Sequence, residues 1–175
     1  PLSPTNSSEI ITTMKIFITD SVTGNAVNGS PFTFKDADGD GGTIGVYQPL
    51  VSDSIITLDS MNTYLAEILL MDETKTPVDT TSNEVIEEGK DHMFFFEQTN
   101  PVGNPYSVIL SGGIKITYLD QDVNGRGIGQ QFKLRSSSNT NAIQYPFKVT
   151  LRHQPGVKDG TFAPGETDVE VRFKI

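Results

Sequence analysis

The chain has 175 residues, 35% of them apolar, with no cysteine and no tryptophan. Its 22 acidic residues outnumber 13 Lys and Arg, for a formal charge of −9. The absence of cysteine excludes a disulfide framework, a thiol nucleophile and a thiolate metal site, and the acidic balance argues against nucleic acid or anionic lipid headgroups as partners.

A chain of this length can bury about two-thirds of its unfolded surface in one domain without covalent staples. Residues 1–8 are rich in Pro, Ser, Thr and Asn and read as a flexible tether; residues 9–175 read as a single domain. A secreted lipoprotein carries such a tether just after its lipidated cysteine, which here would precede Pro1. The longest apolar runs, Ile68 to Met71 and Met93 to Phe96, are too short to span a bilayer.

Met14, Ile16 and Ile18 alternate with Lys15, Phe17 and Thr19, the pattern of a strand with one apolar face. Asp20 to Asn25 carries turn chemistry. Phe32-Thr33-Phe34 begins a second strand that runs into an acidic loop, Asp36-Ala37-Asp38-Gly39-Asp40-Gly41-Gly42. Ser54 to Leu58 and Asn62 to Met71 read as the third and fourth strands, the latter with Tyr64, Ala66, Ile68 and Leu70 toward the core.

Thr81-Ser82-Asn83-Glu84 has capping-box spacing and Gly89 stands where a helix terminates, so a helix of about two turns is expected there. Asp91 to Glu97 is apolar on both faces, with His92, Phe94 and Phe96 sharing one, and reads as a central strand. Ser107 to Leu110, Ile114 to Tyr118 and Gln131 to Arg135 follow, with a second acidic turn, Asp120-Gln121-Asp122-Val123-Asn124-Gly125, before the last of them. Phe147, Val149 and Leu151 alternate with polar residues, and parity places His153 on their side. Val169, Val171, Phe173 and Ile175 close the chain as a strand.

Nine or ten short strands with frequent turns and one short helix define an all-β chain. The expected architecture is an antiparallel β-sandwich, immunoglobulin-like or transthyretin-like; a closed barrel is the alternative.

Two sets of residues carry metal chemistry. The acidic loops place oxygens of Asp36, Asp38 and Asp40, and of Asp120, Asp122 and Asn124, at alternate positions, as calcium requires. Position 12 of an EF-hand loop would be Glu; here it is Tyr47 or Gln131, so hairpin capping competes with calcium. His92 and His153 are the only histidines. Glu87, Glu88 and Asp91 lie near the first, and Asp159, Glu166 and Asp168 near the second. If their strands are neighbours, a two-His, one-carboxylate site for zinc or another transition metal becomes possible. No G-x-S-x-G context and no phosphate loop occurs.

Six segments in order carry a resemblance: Glu9 to Thr13, Phe34 to Gly42, Glu87 to Phe95, Tyr118 to Gly125, Thr150 to Pro155 and Gly165 to Val171. Together they look like a group of small Bacteroidetes cell-envelope lipoproteins, loosely assigned to periplasmic-binding folds. Such folds alternate strands with long helices, unlike the pattern here. The resemblance implies secretion, a lipid anchor before Pro1, and an outer-membrane-anchored location, periplasmic or surface-exposed. The expected function is non-enzymatic binding of an envelope protein or glycan. The alternatives are transition-metal binding through His92 and His153, and a glycan-acting enzyme with paired carboxylates.

Overall fold

The computed structural model describes residues 9–38, 46–48, 55–97, 107–109, 114–136 and 147–175, with backbone alone at 46–48 and 107–109. The tether and Asp40 lie outside the described residues. The strands are β1 (Thr13–Asp20), β2 (Phe32–Lys35), β3 (Val46–Gln48), β4 (Thr63–Met71), β5 (His92–Glu97), β6 (Ser107–Ile109), β7 (Lys115–Tyr118), β8 (Gln131–Arg135), β9 (Phe147–His153) and β10 (Glu166–Phe173), with helix α1 (Thr81–Glu87) between β4 and β5.

These strands form a seven-stranded sheet, ordered β3-β2-β1-β4-β8-β7-β6, and a three-stranded sheet, ordered β10-β9-β5. Every pairing between these strands is antiparallel. The chain is an all-β sandwich with one short helix, as its alternation predicts. No helix among the described residues is long and apolar enough to cross a membrane.

Alternation decides the inner face of the large sheet. Met14, Ile16 and Ile18 of β1 and Tyr64, Ala66, Ile68 and Leu70 of β4 are buried, and Ile16 pairs with Ile68 across the sheet. The small sheet answers with Phe94, Phe96, Phe147, Val149, Leu151, Val171 and Phe173, all buried. Phe96 joins the two layers: its ring lies 4.5 Å from that of Phe132 and 5.6 Å from that of Tyr118, and 5.9 Å from Phe147 in its own sheet.

Three local expectations change. Ser54 to Leu58 is not a strand over its described residues: Ile55 makes one parallel bridge to Lys174, and the Ile56 amide donates to the Lys174 carbonyl at 2.8 Å. This segment braces the end of β10 instead of joining a sheet, and β3 takes the place beside β2.

Helix α1 begins with Thr81 itself, and Thr80 is its N-cap without a side-chain bond. Ser82 faces inward, where its hydroxyl accepts from the Leu70 amide at 2.7 Å. Gly89 follows the C-cap residue Glu88 as expected, but its role is clearance. A Cβ there would meet Ile128 Cδ1 at 2.6 Å.

β5 is buried along its whole length, yet it is an edge strand. The turn between β7 and β8 covers that edge. The Phe94 amide donates to the Ile128 carbonyl at 2.7 Å, and the Tyr118 hydroxyl donates to the Phe94 carbonyl. A buried edge needs such partners because each orphaned backbone group is costly.

Candidate metal centre

The register of β5 against β9 places His92 directly opposite His153. Residues opposed in this way have Cβ atoms about 4.5–5.5 Å apart, and the imidazoles stack, with centroids 4.7 Å apart and planes 6° from parallel. Both are buried. The two histidines of the chain are thus brought together, as the sequence allowed.

β10 supplies the carboxylate through a bulge. Thr167 pairs with Arg152 and Val169 with Leu151, leaving Asp168 as an extra residue. Strict alternation would put Asp168 opposite in facing to Val169, Val171 and Phe173. The bulge re-aims it inward, and its side chain is fully shielded from solvent. Arg152 holds the bulge in place, donating to Thr167 Oγ1 at 2.7 Å and to the Pro164 and Gly165 carbonyls.

Asp168 Oδ2 lies 3.6 Å from His92 Nε2, and Oδ1 lies 4.0 Å from His153 Nδ1. Nδ1 of His92 lies 3.3 Å from the Glu88 backbone carbonyl. Only a protonated Nδ1 can use that carbonyl, so the neutral ring keeps its lone pair on Nε2. Nε2 is buried without a hydrogen-bond partner among the described residues, and the buried Asp168 carboxylate has the Glu9 amide as a nearby donor but no well-aligned bond. Three acceptor atoms therefore face one another, an arrangement that calls for a cation or a proton between them.

The electrostatics fit that description. Burial pushes the Asp168 carboxyl up to about 6, against pulls downward from His153, the Glu9 amide and Arg152. Burial and the neighbouring His153 hold His92 below its ordinary value. Glu9 is pushed up to about 7 by burial and by a carboxyl–carboxylate hydrogen bond with Glu84, with Asp168 and Glu88 adding repulsion. The negative charge crowded around the histidine pair is thus partly neutralised by protons.

A metal ion would serve the same need. Two atoms sharing zinc at about 2.1 Å each stand at most about 4.2 Å apart, and both His–Asp168 separations fall below that. Glu88, His92 and His153 also offer one ligand atom each, all within 4.8 Å of one another. This cluster could hold a metal ion. Stacked rings direct their in-plane lone pairs along separate planes, so one imidazole must turn for both to reach a common ion.

The acidic loops are used differently. In the second, Asp120 Oδ1 accepts from the Gly129 amide at 2.7 Å and Oδ2 from the Gln131 amide at 2.9 Å. Asp122 Oδ1 accepts from the amides of Asn124 and Arg126 at 2.8 and 2.9 Å, while Oδ2 stands 2.9 Å from Lys158 Nζ. These oxygens cap a hairpin, and the cation beside them is a lysine ammonium. In the first loop Asp38 is exposed, and partly buried Asp36 shares a cleft of about 210 Å³ with Ile11, Phe34 and the bulge residues Thr167 to Glu170. The first acidic loop therefore starts at the cleft walled by the bulge that carries Asp168.

The sequence sets Asp168 and Glu88 near the histidines among other carboxylates and does not select them. Glu84 has the spacing of a capping residue, and no sequence pattern links it to Glu9.

No family model and no curated protein matches the chain. Among solved structures, a Bacteroides fragilis protein provisionally described as a cell adhesion protein aligns over 99% of this chain and 82% of its own length, at 12% identity and a TM-score of 0.21. A likeness at that level carries no argument about fold or function.

Proposed function

We propose that this chain is a transition-metal-binding β-sandwich of the cell envelope that acts by binding and not by turnover. His92 Nε2, His153 Nδ1 and the Asp168 carboxylate are the ligands; Glu88 offers a carboxylate atom within 4.8 Å of one ring nitrogen on each histidine as the competing third ligand. The observation that carries this reading is the meeting of His92 Nε2, buried without a hydrogen-bond partner among the described residues, with the buried Asp168 carboxylate 3.6 Å away. Two imidazoles and a carboxylate suit zinc or a neighbouring first-row ion better than calcium, which prefers oxygen alone. The Nδ1 contact of His92 with the Glu88 carbonyl is the kind of outer contact that orients a metal-bound histidine. The envelope location and the lipid anchor rest on the sequence resemblance. The Asp168 side chain is sealed from solvent, which disfavours a glycosidase in which it would touch a sugar.

The test is elemental analysis of untagged protein, with zinc titration followed by calorimetry. Stoichiometric zinc or copper, lost in His153→Ala while the circular dichroism spectrum is retained, supports the proposal. No bound metal and no heat on titration would overturn it.

A second reading, binding of an envelope protein or glycan, is favoured by a cleft of about 280 Å³ on the outer face of the large sheet. Phe17, Leu65, Glu67, Leu119 and Gln131 line it, and Phe17, Leu65 and Leu119 are exposed. Binding on a glycan array that is abolished by Phe17→Ala and Leu65→Ala would support this reading.

A further inference from the structure

The loop between β9 and β10 sends Lys158 inward to the hairpin turn between β7 and β8. The side chains of Lys158 and Asp122 are each 1% exposed, and Nζ stands 2.9 Å from Oδ2. The contact lacks hydrogen-bond alignment at Oδ2. Nζ also donates to the Gly89 carbonyl at 2.7 Å. The other oxygen of Asp122 accepts the amides of Asn124 and Arg126. One carboxyl thus has an amine at one oxygen and two preorganised amide donors at the other, shielded from water.

That is the constellation for acyl transfer: a nucleophile in contact, and donors where negative charge develops on the carbonyl oxygen. We propose that Lys158 and Asp122 join in an intramolecular isopeptide bond, tying the β7–β8 turn of the large sheet to the β9–β10 loop of the small one. The ammonium first passes a proton to Oδ2, giving a neutral amine and a carboxylic acid. The nitrogen lone pair then attacks Cγ, forming the C–N bond while Oδ1 takes negative charge between the Asn124 and Arg126 amides. The C–Oδ2 bond breaks, and the hydroxyl leaves as water with a second proton from nitrogen. The products are one secondary amide and one water, and no oxidant or co-reactant is consumed.

Against burial, Lys158 and the Arg126 and Asn124 amides hold Asp122 below the usual carboxylate range, so the opening proton transfer is the uphill step. Burial holds Lys158 below its ordinary value, and the charge of Arg126 adds to this, against the pull of Asp122 and Asp120. The second proton needs no relay, because it passes from nitrogen to the leaving hydroxyl on the same tetrahedral carbon. Proximity supplies the rest, since holding two groups in contact replaces a bimolecular encounter.

The experiment is intact-mass measurement of the denatured full chain, followed by peptide mapping. The expected mass is one water below that of the sequence, with trypsin failing to cut after Lys158 and a branched peptide joining the segments that hold Asp122 and Lys158. Lys158→Met and Asp122→Ala must each restore the full mass. Because the measurement is made on denatured protein, it does not depend on either variant folding well. A wild-type mass equal to that of the full sequence would overturn the proposal and leave an ion pair. So would a lost water that maps to a succinimide at Asp38-Gly39, Asp40-Gly41 or Asp159-Gly160.

Discussion

Asp168 reaches His92 because β10 carries one residue more than β9 requires between Thr167 and Val169. Oδ2 stops 3.6 Å from Nε2, too far for a good hydrogen bond and close enough for a shared ion. Removing the bulge by deleting Asp168 would leave Thr167 and Val169 opposite Arg152 and Leu151 in simple alternation and take the carboxylate away. We expect that deletion to abolish metal binding while an antiparallel β spectrum survives. Calorimetry with zinc and circular dichroism check the two halves of this statement.

Metal should stabilise the fold by mass action, by about 2.7 kcal/mol when free ion exceeds Kd a hundredfold. Asp168→Asn keeps the shape but removes the charge, and His153→Ala removes a ring. Both should lose the zinc-dependent rise in Tm. Glu88→Gln and Asp168→Asn should be compared directly: the larger loss of affinity marks which carboxylate joins the two histidines as ligand. Binding should also unstack the imidazoles. The ring-proton NMR shifts of His92 and His153 should therefore move together on titration; shifts that stay fixed while zinc binds would place the ion elsewhere.

The metal-free protein should lose stability as pH rises toward neutrality. Asp168 is raised from 3.8 to about 6 and Glu9 from 4.5 to about 7. A carboxyl with a raised folded value holds its proton more tightly when folded, so its stabilisation is present at low pH and lost as pH rises through that window. Asp20 has the opposite sign: amides of Val22 and Thr23 and the Asn62 side chain lower it to about 2, so its stabilisation is lost as pH falls below 3.8. His92, held below its ordinary value of 6.5 by burial and by His153, adds a loss on acidification below that value, so the upper limb above about pH 6 belongs to Glu9 and Asp168 and the lower one to His92 and Asp20. Urea midpoints in EDTA from pH 3 to 8 test this, and Glu9→Gln should flatten the upper limb.

Alternation made the strands and their inner faces legible, because period-two burial is written directly in residues such as Tyr64, Ala66, Ile68 and Leu70. It also placed His92 and His153 on core faces. Their adjacency depends on which strands pair, and nothing local encodes that β5 lies beside β9. The bulge at Asp168 was illegible for a related reason: an extra residue is an extra residue only relative to a partner strand. The edge position of β5 was hidden because two-sided burial comes from the β7–β8 turn as well as from flanking strands. Glu84 misled because its spacing suits a helix cap, while its carboxyl is used by Glu9, which lies 75 positions away (84 − 9).

Tyr118 offers a clean test of the covered edge. Its hydroxyl donates to the Phe94 carbonyl, and its ring packs edge-on against Phe96 at 5.6 Å. Tyr118→Phe preserves the ring and orphans one buried carbonyl. It should cost about 1–2 kcal/mol in a urea titration, the usual penalty for an unsatisfied buried acceptor, with the m-value unchanged.

Two glycines with positive φ separate backbone strain from clearance. Gly24 has φ +73° and nothing within 4 Å of the place a Cβ would occupy, so Gly24→Ala meets only the left-handed penalty, about 1 kcal/mol. Gly165 has φ +79°, and a Cβ there would overlap the His153 carbonyl oxygen and lie 2.9 Å from Gln154 Cα, both backbone atoms that cannot swing aside. Gly165→Ala must therefore push the start of β10 off the end of β9. That movement passes through the Arg152 contact with the Gly165 carbonyl and into the bulge three residues on. We expect a loss of roughly 3 kcal/mol or more together with loss of zinc binding, against retained binding in Gly24→Ala. If Gly165→Ala is destabilised yet binds zinc with unchanged affinity, Asp168 is not a ligand, and the ion would have to rest on His92, His153 and Glu88.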